Sequence, residues 1–387
     1  MVEFNLFKMR FHFIANAFKK TVATLSWQRS FQQNRIDFLV GVKMNQIRKI
    51  LFFALVSLFG ATMFAKTVIK IASVAPARSS WDVDQRTIAS DWLKITGGEV
   101  ELQFMSSDSM GGESGVVQKL NSVRPGQKPP IGGAVFTSLG ADGFCPESHI
   151  MTLCVPFLFH SQEEVNAVLE EFTPQMQKPF GQKGYVVLGW FNIGWAYFFT
   201  KNPVRTPSDL QKQRLSVGGM TSPMLANAFK AAGYLTQDVP ADKLLQSMKT
   251  PGGVEGVFTI PMYAYAAQYC KTLTNCLNAP LAPVMVAFVI SKAEWDAIPE
   301  KYKPELLKSV QRAQDKFIQN QQKADAEYLK RCENAGVTLY TPNDSAMKVW
   351  RDEFESKSRY MYDPATPVAD KGFYEQIVAF LKKYRGE

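Results

Sequence analysis

The sequence contains few of the residues from which enzymes build active sites. Of its three histidines, two lie beyond residue 65, and these are His149 and His160, each in an apolar segment. No HExxH motif, GxSxG motif, Walker loop or helix-opening GxGxxG occurs. The sequence therefore predicts a protein that is not an enzyme and that carries no cofactor and no metal.

Cysteine is also scarce, and its spacing predicts no metal site. The five cysteines are Cys145, Cys154, Cys270, Cys276 and Cys332, an odd number without a CxxC pair. Cys270 and Cys276 flank a short loop, so they could form a disulfide in an oxidising compartment. Buried free thiols are the alternative, and the sequence leaves both open.

A basic surface of the kind that binds nucleic acid is missing from most of the chain. The formal net charge is +9, from 44 basic and 35 acidic residues. Residues 1–65 hold nine of the basic and two of the acidic residues, which leaves 35 basic against 33 acidic residues in the remainder. Because the basic excess is confined to the N-terminal segment, we expect no nucleic-acid partner.

A long apolar run near the N-terminus has the form of a secretory signal. Arg48 and Lys49 precede an apolar core from Ile50 to Phe64, and its length of about 15 residues is less than the ~20 needed to span a bilayer. We therefore predict a signal peptide over residues 44–65, cleavage after Ala65 and export to the periplasm. Residues 1–43 are interpreted as a non-native upstream extension; a basic amphipathic arm and an uncleaved anchor are the alternatives.

The stretch from Gly189 to Pro261 alternates strands and helices joined by tight turns. A turn at Thr206–Leu210 leads to a short strand at Arg214–Val217, and Ser222-Pro223 is a strong helix start. Farther along, apolar positions between Pro304 and Asn334 recur at helical spacing, over about 30 residues or ~45 Å. These patterns predict an α/β protein with one very long helix.

Five short motifs follow one another along the chain. They are Met110-Gly111-Gly112-Glu113, VPFLF at 155–159, TPSDLQKQRLSV at 206–217, AAGY at 231–234 with VPADKLLQSM at 239–248, and GGVEG at 252–256. With these motifs, from Ile69 to about Val337, the chain resembles the periplasmic solute-binding subunit of TRAP transporters, of the DctP type. Any one motif is weak, but five in order over most of the chain are specific.

The resemblance implies a two-lobed periplasmic-binding-protein-like fold. Its two α/β lobes would be joined by crossing strands, with a lobe-spanning helix and a cleft that closes on a ligand. We assign residues 66–192 plus about 283–320 to the first lobe. Residues 193–282 plus about 321–387, with the C-terminal helices, form the second. The implied function is capture of a small-molecule solute outside the cytoplasm and its delivery to the TRAP membrane permease subunits.

Compared position by position, the resemblance places neutral residues where the family has polar anchors. The family's carboxylate-binding arginine falls at Ser216, a second cation at Ala196, and an asparagine near Thr259. A carboxylate buried without a charged partner is destabilised by several kcal/mol, so we predict an apolar or amphipathic ligand. The candidate ligand-binding residues are Trp81 and Met110 from the first lobe and Trp195, Ala196, Tyr197, Arg214, Ser216 and Thr259 from the second.

Other interpretations stay open at this point. Arg214 lies two residues before Ser216 and would share its strand face, so it could supply a carboxylate clamp. The aromatic residues could belong to the core instead of the site. The chain could also be a periplasmic interaction or scaffold protein that keeps the fold without transport. Because it lacks the arginine, the chain also resembles a subclass of the family that pairs with a tetratricopeptide-repeat lipoprotein. Such a lipoprotein would then be a further partner.

Overall fold

The structure is a computed structural model, and it describes residues 66–122, 130–217, 223–237, 239–365 and 368–387. The predicted signal peptide (44–65) and the predicted upstream extension (1–43) lie outside these residues. No helix within the described ranges is both long enough and apolar enough to cross a membrane.

In the described part of the chain, eight strands form one mixed sheet. They are β1 (Thr67–Ser73), β2 (Val100–Ser106), β3 (Gly133–Thr137), β4 (Tyr185–Thr200), β5 (Leu215–Val217), β6 (Gly256–Thr259), β7 (Asn275–Ser291) and β8 (Thr338–Tyr340). The spatial order is β2-β1-β3-β7-β4-β6-β5, and β8 pairs with β7. β1 runs parallel to β2 and β3, whereas β7 runs antiparallel to β3 and β4.

Seven of the twelve helices in the described part of the chain begin after a residue whose side chain caps the first turn. The twelve are α1 (Ser80–Ile95), α2 (Gly112–Asn121), α3 (Ser138–Phe144), α4 (Gln162–Gln182), α5 (Pro207–Gln211), α6 (Pro223–Ala231), α7 (Ala241–Lys249), α8 (Pro261–Ala266), α9 (Lys292–Ala297), α10 (Lys303–Asn334), α11 (Asp344–Lys357) and α12 (Lys371–Arg385). The predicted turn at Thr206–Leu210 opens α5, where Thr206 and Asp209 form a reciprocal capping box.

β4 and β7 are the longest described strands, and they connect the two ends of the sheet. They span 16 and 17 residues and pair antiparallel from Tyr185 opposite Ser291 to Thr200 opposite Asn275. β3, β1 and β2 attach at the first end through β7, while β6 and β5 attach at the second end through β4. These are the crossing strands that the resemblance implies.

The middle of β4 departs from regular pairing with β7, and side chains accept the hydrogen bonds of backbone N–H groups there. Its register against β7 shifts between Asn192 and Trp195, and Gly194 between them has φ +148°, which side chains rarely adopt. The Gly194 N–H donates to the Asn192 side chain at 3.1 Å, and the Trp195 N–H donates to the Asp325 carboxylate at 3.0 Å. Buried backbone donors freed by the register shift are satisfied in this way.

The predicted very long helix is α10, which has 32 residues and a length of about 48 Å. It packs on α1, on β4 and on α8. Lys316 pairs with Asp84 of α1 at 2.8 Å, and Asp325 reaches the middle of β4. One helix therefore contacts elements attached to both ends of the sheet.

The C-terminal helix α12 packs on α4. Arg385 donates two hydrogen bonds of 2.8 Å to the Glu164 carboxylate, and Phe172 of α4 makes edge-on ring contacts with Phe373 and Phe380. The sequence analysis assigns α4 to the first lobe and α12 to the second. The packing of α12 on α4 therefore connects the two assigned regions. The lobe boundaries themselves stay a prediction.

The contact made by Cys270 differs from the one the sequence suggests. Its sulfur lies 2.7 Å from the sulfur of Cys332, 62 positions away in the chain. All five cysteines are free thiols in the structure, so Cys270 and Cys276 are not bridged. Spacing along the chain could not identify a partner supplied by the end of α10.

Replacing Asp325 by alanine should lower the free energy of unfolding by about 1–3 kcal/mol, because the buried Trp195 N–H loses its acceptor. Urea unfolding at constant m-value measures the change. Asp325→Asn keeps an acceptor oxygen and serves as the matched control, with a smaller expected loss. Equal losses in the two variants would contradict a stabilising role for this hydrogen bond.

Candidate ligand-binding cleft

A cavity of about 560 Å³ opens between the elements attached to the two ends of the sheet. The first end of the sheet supplies residues of α1 and the segments Ser73–Ala77, Phe104–Asp108 and Thr137–Leu139. The second end supplies Leu225, Phe258–Ile260 and part of α8. The long strands β4 and β7 add Ile193, Ala196, Pro283 and Val284. Sites for small molecules commonly enclose roughly 300–1,000 Å³. The cavity therefore has the size and the place of a ligand site in a two-part protein.

Strand direction explains why the first wall carries hydroxyl groups. Ser73, Ser106 and Thr137 are the last residues of β1, β2 and β3, and all three line the cavity. Because the carboxyl ends of parallel strands meet at one edge of a sheet, ligands bind there in open α/β proteins. Each hydroxyl already has a protein partner: Ser73 donates to Gln85, Ser106 accepts from the Asp108 N–H, and Thr137 donates to Glu113.

The predicted Gly-Gly-Glu loop brings a buried carboxyl group to this wall. Gly111 and Gly112 have φ +89° and +71°, a left-handed backbone that favours glycine, and they turn the chain into α2. Glu113 then accepts hydrogen bonds of 2.7 Å from both the N–H and the hydroxyl of Thr137. A Cβ at Gly140 would lie 2.2 Å from the Glu113 carboxylate, so glycine is required there as well.

Burial changes the acidity of Glu113. Its carboxyl group is removed from water, and this desolvation raises its pKa from 4.5 to about 7, although the two hydrogen bonds from Thr137 act in the opposite direction. Glu113 therefore titrates near neutral pH in the wall of the cavity.

The N-terminal half of α1 contributes an ion pair between Asp82 and Arg86. Burial favours the neutral form of Asp82, yet hydrogen bonds from the Arg78 N–H, Arg86 and Gln85 together lower its pKa below the usual value. Arg86 Nε lies 3.0 Å from the Asp82 carboxylate, and the Arg86 side chain is 65% exposed. Among the described lining residues Arg86 is the one cation, and three acids line the same cavity: Asp82, Asp108 and Glu113.

Three of the eight residues predicted to bind ligand line the cavity. They are Trp81 of α1, Ala196 of β4 and Thr259 at the end of β6. Trp81 comes from the first end of the sheet and Thr259 from the second, so the fold brings together residues that are far apart in sequence. Their contact with a ligand stays a prediction.

Three further candidates lie near the cavity but outside its lining. Trp195 and Tyr197 flank Ala196 in β4, and successive strand residues point to opposite faces. Because Ala196 faces the cavity, its two neighbours face away from it. The pKa of Tyr197 is raised, mainly because the side chain is buried and also because the Asp325 carboxylate is near. Met110 packs, partly buried, against the main hydrophobic core.

Arg214 and Ser216 also lie outside the cavity lining. Arg214 pairs with Glu255 at 2.7 Å and donates through Nε to the Gly253 carbonyl at 2.9 Å. Ser216 is 2% exposed and lies opposite Val257 in the parallel pairing of β5 with β6. Arg214 therefore secures the turn before β6, and the structure does not bring it to the cavity.

Sequence reasoning missed the wall formed by α8. Met262, Tyr263, Ala266 and Ala267 line the cavity, although none was a candidate. A signal was present: Pro261 follows β6 after one residue and starts a helix there. A helix that begins at the carboxyl end of a strand stands at the edge where ligands bind.

Comparison with known proteins identifies the family. Residues 71–364 match the family described as bacterial extracellular solute-binding protein, family 7, or DctP. The chain belongs to this family. The DctP-type membership expected from the five motifs is thereby confirmed, and solute binding is the function that the family's description states.

One curated relative matches part of the chain at low identity. The uncharacterized protein YiiZ of Salmonella typhimurium is 26% identical over 130 residues, which cover 32% of this chain and 36% of YiiZ. The chain thus matches about a third of that relative's length.

Two solved structures share the fold. The TRAP periplasmic solute-binding protein of Desulfovibrio salexigens, with bound orotic acid, has a TM-score of 0.70 at 18% identity and covers 82% of this chain and 100% of its own. The TRAP periplasmic solute-binding protein of Ochrobactrum anthropi has its C-terminus bound in its ligand-binding pocket. Its TM-score is 0.69 at 18% identity, with 83% and 96% of the two chains covered. The predicted two-lobed α/β fold is confirmed.

Glu113→Gln should flatten the pH dependence of stability. The folded-state pKa of Glu113 is raised, so the folded chain holds this proton more tightly than the unfolded chain. The contribution of Glu113 to the free energy of unfolding is fully present below about pH 4.5. About 3 kcal/mol of this contribution is lost as the pH rises to about 7. Glutamine keeps an oxygen acceptor for the Thr137 N–H and cannot titrate.

The free energy of unfolding measured between pH 4 and pH 8 checks this expectation. Asp108→Asn is the control, since it removes one exposed carboxylate from the same cavity. A wild-type slope that persists in Glu113→Gln would show that another group titrates.

Proposed function

We propose that this DctP-family protein captures an apolar or amphipathic solute in the periplasm and delivers it to a TRAP-type membrane permease. The observation that carries the ligand class is the electrostatics of the cavity. Its one described cation, Arg86, is already paired with Asp82, and two further acids line the same space.

A carboxylate ligand would meet an unfavourable site. To bind Arg86 it would have to compete with Asp82, which is buried and depends on that arginine for part of its charge compensation. An unpaired buried carboxylate is destabilised by several kcal/mol. The Asp108 carboxylate, and Glu113 when it is ionised, would add repulsion.

Apolar surface dominates the remainder of the cavity. Side chains from both ends of the sheet contribute it, among them Trp81, Phe104, Ile193, Phe258, Met262 and Val284. Burial of an apolar ligand surface against them is favourable by about 25 cal/mol per Å². The polar groups at the strand ends could bind the head group of an amphipathic molecule without changing their charge.

Two other interpretations are less well supported. A carboxylate clamp built on Arg214 would require the ion pair with Glu255 to break, and Arg214 does not line the cavity. A scaffold protein that has lost transport would not require a cavity of about 560 Å³ lined from both ends of the sheet. A tetratricopeptide-repeat lipoprotein remains a proposed partner, for which a pull-down from membranes is the direct test.

The ligand that the protein retains from cells tests the proposal. The chain is purified without unfolding, then denatured, and released small molecules are identified by mass spectrometry. We expect an apolar or amphipathic compound at close to one per chain. Recovery of a small carboxylate such as a dicarboxylate or uronate would contradict the proposed ligand class, and failure to bind any compound in a solute screen would favour the scaffold function.

Thr259→Arg should weaken binding of that compound at least tenfold. The side chain of Thr259 borders the cavity, so arginine would place an unpaired cation next to an apolar ligand. Thr259→Gln is the matched control, because it adds length and polarity without charge. Calorimetric titration of both variants separates the effects; a similar loss in both would indicate steric hindrance and would count against the electrostatic argument.

A further inference from the structure

A pair of buried cysteines lies behind the α8 wall of the cavity. Cys270 belongs to the short turn Tyr269–Lys271 that follows α8, and Cys332 belongs to the last turn of α10. Their sulfur atoms are 2.7 Å apart, and the two residues are 2% and 0% exposed. The fold thus brings two thiols into direct contact across 62 positions of chain.

The same pair touches both ends of the segment that forms the wall. The Cys332 sulfur lies 3.8 Å from the carbonyl oxygen of Pro261, the first residue of α8. At the other end, Tyr269 next to Cys270 makes an edge-on ring contact with Tyr263, which lines the cavity. A covalent bond between the two sulfurs would therefore fix this wall to the long helix.

The remaining cysteines lack such a contact. The Cys145 thiol contacts the Glu147 carboxylate and the Cys154 thiol contacts the Ser138 hydroxyl, and burial raises the pKa of each thiol to about 11. Cys276 lies within β7, and burial raises its pKa well above the usual value. The hydrogen bond between the Cys270 and Cys332 sulfurs, in contrast, lowers the pKa of the Cys270 thiol, and the thiolate is the form that attacks disulfides.

We propose that Cys270 and Cys332 form a disulfide when the chain folds under oxidising conditions, and that this bond fastens the α8 wall of the cleft to the end of α10. Because both residues are buried in the folded chain, the reaction takes place before α10 has fully packed. This proposal rests on one part of the proposed function, the export of the chain to an oxidising compartment. It does not depend on which ligand the cleft binds.

The reaction is a thiol–disulfide exchange with an external disulfide. The Cys270 thiolate attacks one sulfur of that disulfide and forms a mixed disulfide, and the other sulfur leaves and becomes a thiol. The Cys332 sulfur loses its proton and attacks the Cys270 sulfur, which releases the second external thiol. Two protein thiols are oxidised to one disulfide, and one external disulfide is reduced to two thiols.

The test separates bond formation from export and from ligand binding. The purified chain is denatured, reduced, and refolded with a mixture of glutathione and its disulfide. Free cysteines are then alkylated in denaturant, and the protein is digested without reductant and analysed by mass spectrometry. We expect a Cys270–Cys332 cross-linked peptide, with Cys145, Cys154 and Cys276 alkylated.

Three variants decide which cysteines are linked. Cys276→Ser should keep the cross-link, whereas Cys270→Ser and Cys332→Ser should lose it. In the oxidised protein we expect the latter two to have a midpoint of thermal unfolding lower than wild type by roughly 5 °C. Most of that difference should disappear when reductant is present, which distinguishes loss of the bond from the effect of the substitution itself.

Two results would overturn the proposal. One is a refolded wild-type chain in which all five cysteines are alkylated. The other is a Cys270–Cys276 cross-link that Cys276→Ser abolishes and Cys332→Ser preserves. Should a serine variant fail to refold, the peptide map of the wild-type chain still decides between these outcomes.

Discussion

The antiparallel pairing of β4 with β7 is the constraint on which the rest of the structure depends. Each strand runs from one end of the sheet to the other, and the smaller strands attach to this pair at one end or the other. Movement of one end relative to the other must therefore bend or twist these two strands. The shift between Asn192 and Trp195 is where the regular register is lost and side chains satisfy the N–H groups of Gly194 and Trp195. A polar, glycine-containing segment can change its torsion angles at lower cost than an unbroken ladder.

The position of the cleft follows from the same arrangement. Parallel strands on one side end at a common edge, so Ser73, Ser106 and Thr137 meet there. β6 ends at Thr259, and α8 begins within two residues to form the opposing wall. Neither wall is a site by itself, since the first holds the paired charges and the second is largely apolar. The cavity exists because the crossing strands hold the two walls against each other.

Local patterns in the sequence were sufficient for the fold and for half of the cleft. Capping residues, the helical spacing in α10 and the Gly-Gly-Glu turn are each set by residues close together in the sequence. The motifs that carry the family resemblance are short in the same way. The interactions that decide individual side chains are not local. Arg214 is drawn to Glu255, 41 positions away, and a partner at that distance is invisible to periodicity. Strand alternation, by contrast, already implied that Trp195, Ala196 and Tyr197 could not all face one ligand.

The hydrogen bonds around Asp82 bear most directly on ligand choice. The carboxylate accepts from the Arg78 N–H at 2.9 Å, from Gln85 at 2.9 Å and from Arg86 at 3.0 Å. A ligand carboxylate that captured Arg86 would remove one of these partners from a buried charge. An apolar ligand leaves them intact, and burial of roughly 400 Å² of its surface would contribute about 10 kcal/mol. Association opposes this by at least about 4 kcal/mol, which leaves about 6 kcal/mol or less, a dissociation constant of tens of micromolar or weaker. Affinity in this cleft can therefore arise from apolar burial alone, without the arginine clamp that the resemblance assigns to position 216.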